Sequence, residues 1–346
     1  MQTREIFMQR CLDLAMNGLG NVAPNPMVGC VIVCDGIIIG EGYHAVYGGP
    51  HAEVVAINAV KNRDLLKNST LYVNLEPCSH FGKTPPCADK IIEAGIPLVV
   101  VGSHDPFPEV QGRGIAKLRQ SGVEVMEGVM EAECDELNKR FFTFHKKHRP
   151  YIILKWAQTL DGFIDKERKE PGTKINWITN ENTRLLVHRW RSEEMAIMAG
   201  TNTLLCDDPQ LTVREVAGNN PLRLIIDENL IIQASARVFD HAAKTVVFNA
   251  LKNGTDGHIE YVLLNFAGNI IPQVLEFLVQ RNIQSLIVEG GRVLLQSFID
   301  SGSWDEARVF SGNNFFFSGT RAPEINGKLV HLENFGDDKL SIIVNS

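Results

Sequence analysis

A histidine, a glutamate and two cysteines in the first quarter of the chain have the types and spacing of a metal site. One residue separates His51 from Glu53, Cys78 follows a proline, and Cys87 comes after eight intervening residues. One imidazole and two thiolates are good ligands for Zn²⁺, and three protein ligands leave the fourth tetrahedral position for water. Glu53 need not be a ligand, because a carboxylate beside such a water can carry its proton. The spacing therefore predicts a catalytic zinc centre with His51, Cys78 and Cys87 as ligands and Glu53 as the catalytic residue.

The chemistry of such a centre is hydrolytic deamination. Zinc lowers the pKa of its bound water to roughly 7, so that hydroxide is available to attack a ring carbon that carries an amino group. The general zinc-deaminase signature is H-x-E followed by P-C-x-x-C, and this chain keeps the first half but separates the cysteines by eight residues. Two alternatives remain: a structural zinc site closed by His80 as a fourth ligand, and buried cysteines without a metal.

Hydrophobic patterning places these residues at one end of a sheet. Pro50 and Pro86 precede two predicted helices, so His51 and Cys87 lie at helix starts, and Cys78 follows a strand directly. Asp35-Gly36 predicts a hairpin turn, and the later strand–helix alternation predicts parallel pairing in an α/β/α layered domain. The predicted strands cover residues 28–33, 37–42, 70–75, 97–101 and a stretch near 123; the predicted helices cover 4–17, 52–62, 87–94 and 114–120.

A second α/β domain is predicted beyond the charged stretch at residues 145–150, which has the composition of a linker. We therefore divide the chain into domains at residues 1–147 and 148–346. The second domain again alternates between the two element types. Its predicted strands cover 151–156, 195–199, 222–227, 245–249 and 285–288; its predicted helices cover 182–192, 272–280 and 293–300.

Composition and net charge limit the kinds of molecule that the protein is expected to bind. The 346 residues carry a formal net charge of −7, which argues against a nucleic-acid binder that neutralises phosphates. No apolar run approaches the roughly 20 residues of a membrane span. The N-terminal segment is amphipathic rather than a signal peptide, and seven cysteines in such a chain predict burial or metal ligation rather than disulfides. We expect a cytoplasmic protein with a small-molecule substrate and without a nucleic-acid or membrane partner; the sequence is compatible with a homo-oligomer but does not fix one.

Four longer motifs are more specific than the zinc pattern: Pro24-Asn25-Pro26-x-Val28-Gly29, Gly40-Glu41-Gly42-Tyr43-His44, Gly49-Pro50-His51-Ala52-Glu53 and the stretch from Glu76 to Cys87. Asp105-Pro106, Gly112-x-Gly114 and Leu137-Asn138-x-x-Phe141 continue the pattern. Together they resemble the deaminase half of the bifunctional riboflavin-biosynthesis deaminase/reductase family, whose cysteine spacing also matches. The resemblance implies a cytidine-deaminase-like three-layer α/β/α domain and a phosphoribosylaminopyrimidine substrate, with Asn25, His44 and Lys83 lining the substrate pocket. From the residues alone, a turn asparagine, a core histidine and a solvated lysine are the alternatives.

The second half carries a further ordered set of short motifs: Lys155, Leu160-Asp161-Gly162, Trp177-Ile178-Thr179, Arg191, Cys206-Asp207-Asp208-Pro209-x-Leu211-Thr212-Val213-Arg214, Asp227 and Glu289-Gly290-Gly291. On these residues it is similar to the reductase of the same family, which has a dihydrofolate-reductase-like α/β fold and uses NADPH to convert the ribosyl group to ribityl. The resemblance implies that Lys155 and Asp161 are catalytic. It also implies the following cofactor-binding residues: Gln158, Trp177, Thr203, Asp207, Gly291, Arg292, Val293 and Leu294. The implied substrate-binding residues are Ile175, Arg191, Leu211, Arg214 and Glu289.

Residue chemistry is compatible with these roles without establishing them. Glu289-Gly290-Gly291 runs from a strand into a helix, where bare backbone amides can hold a phosphate, but an ordinary tight turn has the same pattern. Arg191 and Arg214 could clamp the substrate phosphate bidentately, whereas single arginines are more often surface residues. For Lys155 and Asp161 the alternative is a strand-end ion pair.

The reductase half departs from the family pattern in three places. Glu228 follows Asp227 where the family has a small serine, the loop at 163–176 is unusually charged, and the segment after Asp305 differs, with Asp305-Glu306-Ala307 followed by SGNNFFFSG. These departures keep open a zinc deaminase whose C-terminal domain is only a binding or dimerisation module. A nucleic-acid-editing deaminase is the other alternative, and the acidic balance counts against it.

Overall fold

A five-stranded sheet organises the first of the two units into which the chain divides, residues 1–148 and 149–346. The computed structural model describes residues 3–79, 85–107, 111–167 and 176–345, and the strand and helix counts below refer to these residues. The strand order is β2-β1-β3-β4-β5; β1 is antiparallel to both neighbours, and β3, β4 and β5 are parallel. The strands are β1 (Gly29–Cys34), β2 (Ile37–Tyr43), β3 (Thr70–Leu75), β4 (Leu98–Ser103) and β5 (Glu124–Met126).

Helices cover both faces of this sheet. Alternate residues of β1 enter different cores: Ile32 packs with the helices α2, α3 and α4, whereas Val31 packs with α1 and α5. The predicted three-layer α/β/α arrangement is therefore confirmed, as is the hairpin, where Asp35 and Gly36 both have positive φ. The helices are α1 (Thr3–Ala15), α2 (Ala52–Ala59), α3 (Cys87–Glu93), α4 (Arg113–Gln120), α5 (Glu131–Leu137) and α6 (Lys139–Lys147).

Two local predictions for this unit are wrong. The helix predicted over 52–62 ends at Ala59, because Val60 turns to extended backbone and is buried. The linker predicted over 145–150 is helical up to Lys147. Its lysines are exposed, but Phe141 and Phe142 of the same helix are buried, so the stretch is the polar end of an amphipathic helix. Helices α5 and α6 were not predicted.

The second unit contains a ten-stranded sheet, counted over the described residues. Its order is β11-β12-β10-β9-β8-β13-β6-β14-β17-β16, with parallel pairing from β12 to β14 and antiparallel strands at both edges. A separate two-stranded ladder joins β7 and β15. The strands are β6 (Tyr151–Gln158), β7 (Phe163–Asp165), β8 (Ala196–Gly200), β9 (Leu222–Ile226), β10 (Thr245–Asn249), β11 (Gly254–Asp256), β12 (Ile259–Leu263), β13 (Ser285–Glu289), β14 (Glu306–Ser311), β15 (Thr320–Arg321), β16 (Lys328–Phe335) and β17 (Asp338–Val344).

This sheet also has a core on each face, which confirms a second α/β unit. One core includes residues of α9 and α10, and the other includes residues of α7 and α8. The short helix α8 was not predicted. The helices are α7 (Glu181–Glu193), α8 (Thr201–Asp207), α9 (Ile271–Gln280) and α10 (Arg292–Asp300). In the part of the chain that the structure describes, no helix has the length and apolar character needed to cross a membrane.

Candidate active sites

The three predicted zinc ligands converge in the first unit. His51 immediately precedes α2, Cys78 lies beyond the end of β3, and Cys87 is the first residue of α3. His51 Nδ1 lies 3.2 Å from Cys87 Sγ and 3.6 Å from Cys78 Sγ, and all three ligand atoms lie within 4.8 Å of one another. A tetrahedral zinc ion with Zn–S of about 2.3 Å and Zn–N of about 2.0 Å needs ligand atoms about 3.5 Å apart. The cluster fits Zn²⁺.

The surroundings of the cluster favour the thiolate at Cys78 and a buried carboxyl at Glu53. Hydrogen bonds from Cys87 and His51 lower the pKa of Cys78 to about 4, even though burial opposes ionisation. The thiolate is the form that ligates metals. Glu53 lies in the first turn of α2, only 3% exposed, and burial raises the pKa of its carboxyl. A carboxyl that is buried two residues after a ligand is placed for proton transfer next to the metal.

Asn25 and His44 form a fixed pair beside this cluster. The Asn25 amide lies 3.0 Å from His44 Nε2, and His44 Nδ1 lies 2.9 Å from the Pro50 carbonyl oxygen. Because a carbonyl only accepts, Nδ1 carries the proton and donates, and Nε2 accepts from Asn25. Burial lowers the pKa of His44, in agreement with a neutral ring. The His44 and His51 rings are 5.5 Å apart, so the predicted pocket residues Asn25 and His44 do lie near the metal ligands.

Glu76 begins the motif that ends at Cys87, and it fixes the loop that carries Cys78. Its buried carboxylate accepts hydrogen bonds from the backbone amides of Gly112 (3.0 Å) and Gly114 (3.1 Å) at the start of α4. A Cβ atom at Gly114 would lie 1.9 Å from the Pro77 carbonyl oxygen. The glycine thus permits the close approach of α4 to the Pro77-Cys78 backbone. The signal in the sequence was the Gly112-x-Gly114 spacing.

Three residues from the sequence analysis lie outside the described residues: His80, Lys83 and Ile175. Their predicted roles stay predictions.

In the second unit, a carboxylate and two cations meet at the ends of neighbouring strands. Glu289 ends β13 and pairs in register with Lys155 of β6. Arg191 of α7 donates from Nε and Nη2 to the two Glu289 oxygens, each at 2.8 Å, and Lys155 Nζ lies 3.9 Å from Glu289 Oε2. Burial opposes ionisation of Glu289, but Arg191 and Lys155 lower its pKa to about 2. Burial lowers the pKa of Lys155. The structure therefore brings Lys155, Arg191 and Glu289 together.

The two arginines that were predicted to clamp the substrate phosphate both make hydrogen bonds to groups of the protein. Two nitrogens of Arg191 bind Glu289, and its Nη1 donates to the Thr212 carbonyl (3.2 Å). Arg214 Nη1 donates to Thr212 Oγ1 (2.9 Å), and its backbone amide donates to His188 Nδ1 (3.1 Å). Arg191 and Arg214 share Thr212 as a contact, so they are neighbours, and the clamp stays a prediction.

Asp161 holds a loop in place. Its carboxylate accepts hydrogen bonds from the backbone amides of Phe317 (2.7 Å) and Phe316 (3.2 Å) and from Thr159 Oγ1 (2.5 Å). These hydrogen bonds lower the pKa of Asp161 despite the opposing effect of partial burial. An ionised, fully engaged carboxylate favours anchoring of the aromatic loop over proton donation.

The glycine pair before α10 has the geometry of a phosphate cradle. Gly290 and Gly291 have φ of 87° and 61°, and a Cβ at Gly290 would lie 2.7 Å from Thr203 Cγ2. Bare amides at a helix start favour anions. Of the other predicted cofactor residues in α10, Val293 is 75% exposed, Leu294 is buried in the core, and Arg292 lies 3.6 Å from Glu324.

The remaining predicted residues lie in three settings. Gln158 accepts a hydrogen bond from Trp156 Nε1 (2.8 Å) at the end of β6. Trp177 is 53% exposed, with the Arg184 guanidinium 4.7 Å from its ring. Asp207 ends α8, and the buried Leu211 four residues later has a φ of 54°, unusual for a branched side chain.

Arg223 fixes the loop with Leu211, and sequence reasoning missed it. This fully buried side chain donates from Nη1 to the Gln210 carbonyl (3.2 Å) and to Asp240 Oδ1 (2.7 Å). Gln210 Nε2 in turn donates to Asp240 Oδ2 (3.0 Å). The signal was an arginine inside the otherwise apolar strand β9.

Comparisons with known proteins match both units. The family model for the cytidine and deoxycytidylate deaminase zinc-binding region matches residues 1–103, and the RibD C-terminal domain matches residues 150–338. The riboflavin biosynthesis protein RibD of Aquifex aeolicus is 40% identical over 346 residues, 96% of each chain. The crystal structure of a diaminohydroxyphosphoribosylaminopyrimidine deaminase/5-amino-6-(5-phosphoribosylamino)uracil reductase from Thermotoga maritima has 39% identity and a TM-score of 0.91, with 99% of each chain covered. Acinetobacter baumannii RibD has 29% identity and a TM-score of 0.89, covering 100% of this chain and 99% of that chain.

Fold, site and family models together define a two-domain enzyme, a zinc-binding deaminase followed by a reductase that uses a nicotinamide cofactor. The full-length relatives make the assignment specific. The chain belongs to the RibD family, the bifunctional deaminase/reductases of riboflavin biosynthesis, whose substrates are small molecules.

Proposed function

We propose that the first unit deaminates a diaminopyrimidinone that carries a ribosyl phosphate, and that the second unit then reduces the ribosyl group to ribityl with NADPH. The observation that carries the proposal is the convergence of His51, Cys78 and Cys87 within 4.8 Å, with Glu53 buried two residues after the first ligand. The proposed substrate is supported by the name of the Thermotoga maritima relative, a diaminohydroxyphosphoribosylaminopyrimidine deaminase. We place the enzyme in the cytoplasm, acting on a small molecule rather than on nucleic acid or a membrane.

In the deaminase, His51, Cys78 and Cys87 would hold Zn²⁺. Zinc held by three side chains supplies a water of lowered pKa in its open position. The Glu53 carboxylate accepts one proton from water and passes it to a ring nitrogen; it then transfers a second proton, from the hydroxyl group added to the ring carbon, to the amine, which departs as ammonia. The neutral His44 ring, fixed by Asn25 and by the Pro50 carbonyl, lines the pocket without adding charge. Asn25, His44 and Lys83 are proposed to bind the pyrimidine and its substituents.

In the reductase, the bare backbone amides of Gly290 and Gly291 before α10 would hold a cofactor phosphate, because the start of a helix favours anions. NADPH, when bound, supplies the hydride. Lys155, whose pKa is lowered by burial and whose Nζ lies 3.9 Å from Glu289 Oε2, is proposed to donate a proton from Nζ to the sugar oxygen. Glu289 keeps both Lys155 and Arg191 in place through its ion pairs.

A two-part assay tests the proposal. Ammonia release from the diaminopyrimidinone ribosyl phosphate is measured with and without a zinc chelator, and NADPH oxidation is then followed on the product. Both activities are expected on one purified chain, with the first lost on chelation. Ammonia release with neither NADPH binding nor oxidation would support the alternative, a C-terminal domain that serves only as a binding or dimerisation module. Absence of zinc-dependent ammonia release would overturn the deaminase assignment.

A further inference from the structure

Met27 lies two residues before β1, outside the sheet ladder, yet side chains satisfy both of its main-chain polar groups. Asn138 Oδ1 accepts a hydrogen bond from the Met27 amide (2.8 Å), and Asn138 Nδ2 donates to the Met27 carbonyl (2.9 Å). One side-chain amide thus makes both contacts that a neighbouring strand would make. The partners are 111 residues apart in sequence. Asn138 lies between α5 and α6 and is 2% exposed.

A second buried asparagine completes the clamp. Asn74 of β3 donates from Nδ2 to the same Met27 carbonyl (3.0 Å) and accepts from the Gly29 amide (2.8 Å). Its side chain is fully buried. Two amides therefore converge on one carbonyl, and the segment that leads into β1 is fixed from two sides. Buried hydrogen bonds of this kind are costly to break, because each lost partner leaves a desolvated polar group.

The clamped segment follows directly on Asn25, one of the proposed substrate-pocket residues. Asn25 lies two residues before Met27 and donates to His44 Nε2, and the His44 amide donates to the Val28 carbonyl (2.9 Å). His44 in turn donates to Pro50, the residue before the ligand His51. Hydrogen bonds and short stretches of backbone thus connect Asn138, through the Met27 segment and His44, to Pro50, the residue before His51.

We propose that Asn138 is a positioning residue of the deaminase: its amide fixes the Met27 backbone and thereby holds Asn25 against His44 in the substrate pocket. The proposal rests on the proposed deaminase function and on Asn25 as a pocket residue. Asn138 acts through Asn25 and not on the metal, so its loss should impair substrate binding and leave zinc binding intact.

The test compares full-length Asn138→Ala and Asn138→Asp with the wild type. The first removes both contacts, and the second keeps an acceptor for the Met27 amide but sets a carboxylate oxygen against the Met27 carbonyl. In N138A the deaminase KM should rise about tenfold, the effect of one or two lost buried hydrogen bonds. Zinc content and NADPH oxidation should stay at wild-type levels. The control is Ser69→Ala, which removes a buried hydrogen bond to Leu66 in the same unit without touching the clamp and should leave the KM unchanged.

A double-mutant cycle separates positioning from general destabilisation. Asn25→Ala alone should raise the KM, and adding N138A to it should change the KM by less than about twofold, because both act through one group. Multiplicative effects, or an unchanged KM in folded N138A and N138D, would overturn the proposal. Hydrogen exchange of the Met27 amide gives a readout that does not need activity: it should be faster in N138A, which removes the acceptor of this amide, than in S69A, and equal exchange would contradict the clamp. A wild type without ammonia release would count against the proposed function instead, while the exchange result would still decide the clamp.

Discussion

Glu289 and Arg191, 98 residues apart in sequence, form a two-point ion pair in which two guanidinium nitrogens each lie 2.8 Å from a carboxylate oxygen. The pair is almost fully buried, and Lys155 lies close to the same carboxylate. Glu289 therefore fixes the orientation of two cations at the proposed reductase site. Removal of one partner of such a pair leaves a buried charge without compensation.

Glu289→Gln should abolish most NADPH oxidation and leave ammonia release unchanged, since the two activities use different units. The amide keeps the size of the side chain but not its charge, so Arg191 and Lys155 lose the anion that orients them. Initial rates of both reactions on the same preparation check this prediction. Wild-type NADPH oxidation in the variant would show that the ion pair has no part in the reductase.

The same carboxylate makes stability depend on pH. The pKa of Glu289 is about 2 in the folded state against 4.5 as its ordinary value, so the pair stabilises the protein above pH 4.5, and this stabilisation is lost as the pH falls towards 2. The contribution is on the order of 3 kcal/mol. Urea unfolding from pH 6 to pH 2.5 should therefore show a steeper loss of stability in the wild type than in Glu289→Gln. Parallel curves for the two proteins would contradict the low pKa.

Protonation of His188 should lower the stability of the folded protein, whereas protonation of a salt-bridged histidine raises it. Burial, then Arg191 and Arg214, lower its pKa from 6.5 to about 4, so the unfolded chain binds more protons between these values and stability should fall as the pH drops from 6.5 to 4. The neutral ring accepts the Arg214 amide at Nδ1. The NMR titration of the His188 ring is the direct check. A midpoint near 6.5 would rule out the buried neutral ring.

Gly114→Ala should weaken zinc binding. Its Cβ would lie 1.9 Å from the Pro77 carbonyl, so the loop before Cys78 must move. The matched control is Gly122→Ala at the other end of α4: Gly122 has a φ of 84° and open space around its Cβ position, so it should lose about 1 kcal/mol of stability without a change in zinc affinity. Zinc titration of both apoproteins with a chromophoric chelator measures the difference. Equal affinities would show that α4 does not set the position of Cys78.

The zinc ligands could be predicted because each lies at an element boundary that local sequence marks: a proline before a helix, or the end of an apolar strand. The layered folds followed from periodicity in the same way. Helix α6 was missed because charge at residues 145–150 concealed the buried face with Phe141 and Phe142. Helix α5 was missed because it is a short acidic segment with a single buried residue, Cys134. The Asn138 clamp could not be predicted, because its partners are backbone groups, which carry no sequence signal. An arginine within the apolar strand β9 marked Arg223 as unusual, but its partners at Gln210 and Asp240 are distant in sequence, and only the fold brings them together. The Glu289–Arg191 pair joins residues whose proximity only the register of β13 and the packing of α7 create.

The most direct test of the central claim is ammonia release by the wild type and by Glu53→Gln, with the zinc content of each protein measured in parallel. The account predicts one zinc per chain in both proteins, ammonia release by the wild type that a chelator abolishes, and at least a hundredfold lower rate in the variant, the contribution typical of general acid–base catalysis. A variant that keeps its zinc and deaminates at the wild-type rate would contradict the role of Glu53. A wild type that releases ammonia without zinc would contradict the metal centre itself.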